Sequence, residues 1–204
     1  MSRRDTTIDP RILESAKHEF LEKGYEEASL KTICEHAAVT TGALYKRYKG
    51  KDDLFHAVVQ PTLDELTAIA NQRRANDFTM ISDQELIKAW DMDEAAMLWW
   101  FELLYQHYDG FILLLRCSQG SQYANFHHDW VEMMTQFTYE YYMEALRRGL
   151  SRTKLSKKEM HALLSGFWAT IYEPFIHGFT WEEIVHHSNM ICKLFNWSTL
   201  LYLN

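Results

Sequence analysis

No stretch of this chain sustains the alternation of apolar and polar residues that a half-buried strand requires. Apolar residues recur instead at three- and four-residue spacing from one end to the other. The fold class this predicts is all-α. Asp9-Pro10 supplies a cap and a first-turn proline for a helix whose stripe is Ile12, Leu13, Ala16, Phe20 and Leu21, and Gly24 suits its end. Ser29 and Thr40 are placed to cap two short helices, and a fourth begins near Gly50-Lys51, where Pro61 should kink it or end its first part. Farther on, Ser82 with Glu85, Ser156 with Glu159 and Thr180 with Glu183 have capping-box spacing. Gly149 after Arg147-Arg148 reads as a helix end. The pattern is three or four short helices followed by a bundle of longer ones, roughly nine in all. A boundary near residue 65 divides it into a small domain, 5–65, and a larger helical domain, 66–204.

The chain is 47% hydrophobic and 14% aromatic, enough for a sizeable core and too much for disorder. Its longest unbroken apolar run, Ala95 to Phe101, is too short to span a bilayer, so no membrane role is expected. The start, Met1-Ser2-Arg3-Arg4-Asp5, lacks the apolar stretch of a secretory signal. Three separated cysteines (Cys34, Cys117, Cys192) without a CxxC then read as reduced thiols in the cytoplasm. The net charge of −7 is unevenly distributed. Residues 1–60 are neutral overall, and residues 28–51 hold five basic side chains against Glu35 alone. A basic patch on an acidic body is compatible with phosphate binding, because the local field is what meets the ligand.

That patch coincides with the segment Ser29 to Tyr48. Two helices of about two turns each are joined there by a corner too short for a loop. Ala37 and Ala38 are small enough for the pair to pack at a steep angle, and Ile33, Val39 and Leu44 form its core. Thr40 and Thr41 head the second helix, where hydroxyls and backbone N–H groups can approach phosphates or base edges. Gly42 permits close backbone approach. Tyr45, Lys46, Tyr48, Lys49 and Lys51 follow, a mixture suited to phosphate contacts.

Four pieces carry a resemblance: Phe20-Leu21-Glu22-Lys23-Gly24-Tyr25, Ser29-Leu30-Lys31-Thr32-Ile33, Val39-Thr40-Thr41-Gly42-Ala43-Leu44-Tyr45 and Tyr48-Lys49-Gly50-Lys51-Asp52-Asp53-Leu54. With their spacing, residues from about 8 to 59 resemble the DNA-binding domain of the TetR family of regulators. The resemblance implies a three-helix helix-turn-helix domain, a homodimer on a palindromic operator, and a bundle that binds a small molecule which releases the DNA. By position it implies that Thr40, Thr41 and Ala43 face bases, and that Ser29, Lys31, Tyr45, Tyr48 and Lys51 contact phosphates. Gly50 stands where the family often has a capping serine, and Ala38 where it commonly has glycine. The expected function is therefore a cytoplasmic transcription repressor, with no cofactor and no enzymatic activity. An alternative keeps the DNA-binding domain and makes the bundle a dock for a protein partner.

The bundle is rich in aromatic residues (Trp90, Trp99, Trp100, Tyr123, Phe126, Trp130, Tyr141, Trp168 and Tyr172), of which Trp100, Tyr123, Phe126, Trp130, Trp168 and Tyr172 are the candidates for lining an effector pocket, favouring a hydrophobic or aromatic ligand. Glu102 and Glu173 lie within apolar helices, where a carboxylate either selects a cationic ligand or faces solvent. Met160, Leu164, Phe167 and Ile171 line one helix face, and Ile184, Ile191 and Phe195 another; two such helices per subunit would make a four-helix dimer interface. A dimer is also what reading two half-sites about 34–36 Å apart requires. His127-His128 and His186-His187 are adjacent pairs that cannot converge on one metal ion from a helix. Arg3 and Arg4 read equally as a minor-groove arm and as a frayed terminus.

Overall fold

The computed structural model describes residues 7–74 and 78–203; Arg3 and Arg4 lie outside them. The helices are α1 (Ile8–Glu27), α2 (Leu30–His36), α3 (Thr41–Tyr45), α4 (Lys51–Arg74), α5 (Asp83–Lys88), α6 (Glu94–Gln106), α7 (Tyr108–Arg116), α8 (Phe126–Arg147), α9 (Lys157–Ile176), α10 (Trp181–Leu194) and α11 (Trp197–Leu201). Among the described residues there is no strand, and no helix is long and apolar enough to cross a membrane.

The anticipated start signals operate through local hydrogen bonds. At α5, α9 and α10 the capping boxes are closed in both directions: the backbone N–H of Ser82, Ser156 and Thr180 donates to Glu85, Glu159 and Glu183 at 2.9, 2.7 and 2.7 Å. Each cap oxygen accepts from the N–H three residues on. Gly149 ends α8 at a φ of 73°, where Leu150 N donates to Ala145 O at 2.9 Å. Two helices exceed the sequence expectation. The backbone leaves helical geometry at His107, which separates α6 from α7, and at Phe195, after which Asn196 caps α11. Pro61 does not end α4, which continues to Arg74.

Two compact units result, divided within α4 after Glu65. The first holds the residues up to Glu65 together with His107–Phe126. Its centre is Ile12, Ala16, Phe20, Ile33, Leu44, Leu54, Phe55 and Val59, all without solvent exposure. Burying each large apolar side chain stabilises the unit by roughly 1.5–3 kcal/mol. Phe20 and Tyr25 meet the Phe55 ring edge-on at 4.9 and 5.3 Å. Helix α7 adds Phe111, Leu113 and Leu114 to the buried set, and Tyr25 N donates to Cys117 O at 2.7 Å. It approaches α4 so closely that a Cβ on Gly110 would lie 2.0 Å from Thr62 Oγ1.

The second unit comprises Leu66–Gln106 and the chain from His127 onward. Met97, Trp100, Phe101 and Leu104 of α6 are buried, as are Met134, Tyr142 and Ala145 of α8. They share the interior with Met160, Phe167, Trp168 and Ile171 of α9 and with Ile184 and Ile191 of α10. Arg148 secures the connection before α5 by donating to Ile81 O at 2.7 Å, Asp83 Oδ1 at 2.9 Å and Phe78 O at 2.5 Å.

Candidate nucleic-acid interface and bundle cavity

Helices α1 to α3 are fixed to one another by polar contacts as well as by the core. Ser15 Oγ donates to Ile33 O at 2.9 Å, tying α1 to α2. Glu19, buried in the α1 stripe, accepts from Ser29 N at 2.9 Å, while Ser29 Oγ accepts from Thr32 N at 3.4 Å. The corner turns at Ala38, whose φ is 53°, and closes with Val39 N donating to Cys34 O at 3.0 Å. Ala37 is buried at this corner as expected of a small facing residue; Ala38 is exposed, and its part is conformational. Thr40 then caps α3, its Oγ1 accepting from Ala43 N at 3.1 Å.

This frame exposes Lys31, Thr40, Thr41, Gly42, Tyr45 and Lys46 to solvent together with Lys49; Tyr45 is 58% exposed. Glu35, the acidic residue in this stretch, sits 3.8 Å from Lys31 on the exposed side of α2. Ser29, Ala43 and Tyr48 are half-buried behind the exposed set. The remaining basic residues behave differently. Lys51 Nζ donates to Glu26 O at 2.7 Å and Ala28 O at 3.2 Å, and it lies 4.8 Å from the centre of the Tyr25 ring. Its charge therefore holds the end of α1. Arg47 pairs with Asp9 and donates to Ala43 O at 3.1 Å, which ties the end of α3 to the start of α1. Tyr25 donates to Asp52 at 2.7 Å; burial and this carboxylate push its phenol up to about 12. Gly50 has no side chain with which to cap α4, and Asp53 reaches back to accept from Lys49 N at 2.9 Å. Sequence reasoning missed these supports. Their signal was an acidic residue, Glu19, inside an apolar stripe.

The second unit contains a cavity of about 370 Å³. Eight of its fourteen lining residues are aromatic, contributed chiefly by α6, α8 and α9 with Trp90 and Trp197. Of the six pocket candidates, Trp100 and Trp168 line it. Trp130 stands behind Trp168, meeting it edge-on at 5.4 Å, and Tyr172 stacks on the same indole at 5.8 Å. Tyr123 and Phe126 belong to the first unit, where Tyr123 O–H contacts His56 Nδ1 and Phe126 packs on Phe111. Glu102 and Glu173 are exposed, Glu173 beside His177 at 3.1 Å, so neither carboxylate faces the cavity. Trp90, Trp99 and Tyr141, part of the aromatic excess noted in the sequence, line it as well, and Trp197 is a lining residue the sequence did not single out.

The proposed dimer faces also need correction. Met160, Leu164, Phe167, Ile171, Ile184 and Ile191 are at most 5% exposed within the single chain, because they already pack inside the bundle. Phe195 is half-buried and packs edge-on against Phe167 at 5.3 Å. The outward face of α9 carries Ala162, Gly166 and Ala169, and that of α10 carries Met190 and Leu194. Among the described residues no group of three or more His, Cys, Asp or Glu side chains is arranged to hold a metal ion.

Residues 12–58, which build the helix-turn-helix and its supports, match the family described as bacterial regulatory proteins, tetR family. The HTH-type transcriptional regulator UidR of Escherichia coli K12 is 39% identical over 49 residues, which cover 24% of this chain and 25% of that protein. The match thus spans about a quarter of that relative. In fold, Salmonella enterica GusR is similar over 98% of both chains with a TM-score of 0.60 at 18% identity. The transcriptional regulator FadR of Bacillus subtilis, solved in complex with stearoyl-CoA, is similar over 93% of this chain and 98% of its own, with a TM-score of 0.59 at 16% identity. The family match thus falls on the residues that form the helix-turn-helix, so this segment is that of the TetR family of bacterial regulatory proteins, while beyond it the likeness to solved structures is one of fold and extends through the bundle.

Proposed function

We propose that this protein is a cytoplasmic, homodimeric repressor that grips a palindromic operator with α3 and leaves it when a small molecule enters the bundle cavity. The observation that carries the reading is the exposed group Lys31, Thr40, Thr41, Tyr45 and Lys46, held on a buried frame at residues that match the family. Lys31 and Lys46 supply charge for phosphates, whereas the short hydroxyls of Thr40 and Thr41 reach base edges. Lys51 and Arg47 act indirectly, by holding the frame. For the dimer, the small side chains of Ala162, Gly166 and Ala169 let a second copy of α9 approach closely, flanked by Met190 and Leu194 of α10.

The stearoyl-CoA bound in the Bacillus subtilis protein supports a small-molecule role for the bundle. In this chain the cavity is the place for it. Helix α4 contributes Ile69 to the cavity lining and, earlier along its length, Leu54, Phe55 and Val59 to the core beneath α3. We take this continuous helix as the link. An effector shifts the equilibrium only if it binds the released arrangement more tightly than the DNA-bound one.

The test is a gel shift with the DNA upstream of the protein's own gene. Binding should weaken steeply as salt rises, since each neutralised phosphate releases counterions. Lys46→Ala should weaken operator and random DNA alike. Thr41→Ala should instead change the ranking among operator variants by about 1–3 kcal/mol at the affected base pair. Equal loss on operator and random DNA for Thr41→Ala would refute the base-facing assignment.

A further inference from the structure

We propose, building on the effector reading above, that the bundle cavity selects a neutral, flat aromatic molecule bearing a hydrogen-bond acceptor such as a keto, ester or ether oxygen. An indole N–H, that of Trp90 or of Trp168, donates to that oxygen. Both indoles line the cavity, at 5% and 2% exposure, and each Nε1–H is buried without an acceptor among the described residues. An unsatisfied buried donor is a standing cost, and a ligand oxygen brought against it removes that cost. Trp168 is held in place by edge-on contacts with Trp100 and Trp130 at 5.2 and 5.4 Å, so its indole belongs to a packed cluster and is not a mobile side chain. Trp99 is 47% exposed and gives the cavity an aromatic rim open to solvent.

The charge of the ligand follows from what the lining lacks. Among the described residues, the cavity lining contains no Lys, Arg, His, Asp or Glu. A carboxylate or phosphate entering it would lose its hydration with no cation in exchange. A quaternary ammonium would gain from the ring faces but meet the positive ends of two N–H dipoles and find no counter-charge. A plain hydrocarbon would fill the space and leave both donors unsatisfied. A neutral acceptor-bearing ring meets each of these conditions.

Four probes on one skeleton separate the alternatives: 2-acetonaphthone, 2-ethylnaphthalene, 2-naphthoate and (2-naphthylmethyl)trimethylammonium. Each is titrated into the full chain, with tryptophan fluorescence giving the Kd and proton–nitrogen spectra following the indole N–H signals. The ketone should bind at least tenfold more tightly than the other three. It alone should move an indole N–H signal downfield, and either Trp90→Phe or Trp168→Phe should delete that signal. The wild-type spectra carry the test even where a variant does not fold. Tighter binding of either ion, a hydrocarbon equal to the ketone, or no binding of any probe overturns the proposal. The same samples are run on the upstream DNA. A protein that binds DNA but fails the probe ranking loses only this ligand class. One that ranks the probes as expected yet ignores DNA overturns the repressor reading instead.

Discussion

Ala38 sits in the left-handed region at the corner between α2 and α3, a conformation in which its Cβ crowds the following carbonyl. The corner demands this φ whatever residue stands there, because Val39 must turn back to bond Cys34 O. Ala38→Gly should therefore stabilise the protein by about 1 kcal/mol, the left-handed penalty less the extra freedom glycine has when unfolded. A urea midpoint that fails to rise would show that the corner is not strained. Lys51 teaches a related lesson. The basic residues of this segment are not equivalent: the Lys51 ammonium is engaged by two carbonyls at the end of α1 and by the Tyr25 ring, whereas Lys46 and Lys49 are exposed.

Among the elements, α8 ends in an ion cluster that is sensitive to acid. Glu144 accepts from Arg147 at 2.7 and 2.8 Å and from Arg148 at 2.6 Å. These hydrogen bonds, from Arg147 first and then Arg148, hold its carboxyl at about 2 instead of its ordinary 4.5. A carboxyl depressed by folding contributes stability that is fully present above the ordinary value and lost as pH falls through the folded one. Wild-type stability should thus fall between about pH 4.5 and 2 more steeply than that of Glu144→Gln, which has no such group to protonate. Urea midpoints measured above and inside that window check this, and parallel curves for the two proteins would contradict it. The consequence reaches beyond α8, because Arg148 also binds the segment that precedes α5.

For the whole molecule, the proposed dimer makes the outward face of α9 the place to intervene. Gly166→Trp puts a bulky ring where a second copy must approach, while the inward core of α9 is left intact. The variant should sediment as a folded monomer and lose operator affinity by orders of magnitude, because a single half-site is read; an unchanged dimer would move the interface elsewhere. This face illustrates which features were legible in the residues alone. The corner between α2 and α3, the three closed capping boxes and the stop at Gly149 are produced by contacts within a few residues, so spacing and residue type were sufficient to find them. The periodic stripe of α9 was equally visible, yet periodicity identifies an apolar face without saying what it packs against. Met160, Leu164 and Ile171 were as compatible with a partner as with the bundle until the other helices took their places. The same holds for the cavity. Trp90, Trp100, Trp168 and Trp197 come from distant parts of the chain, and Tyr123, equally aromatic, went to the other unit. Local physics thus determined from sequence the capped helix starts, the stop at Gly149 and the exposed threonine-headed α3. Long-range packing, which selects one pairing of faces among many that burial alone would reward, decided the cavity, the inward side of α9 and the contacts that Lys51 makes within the chain.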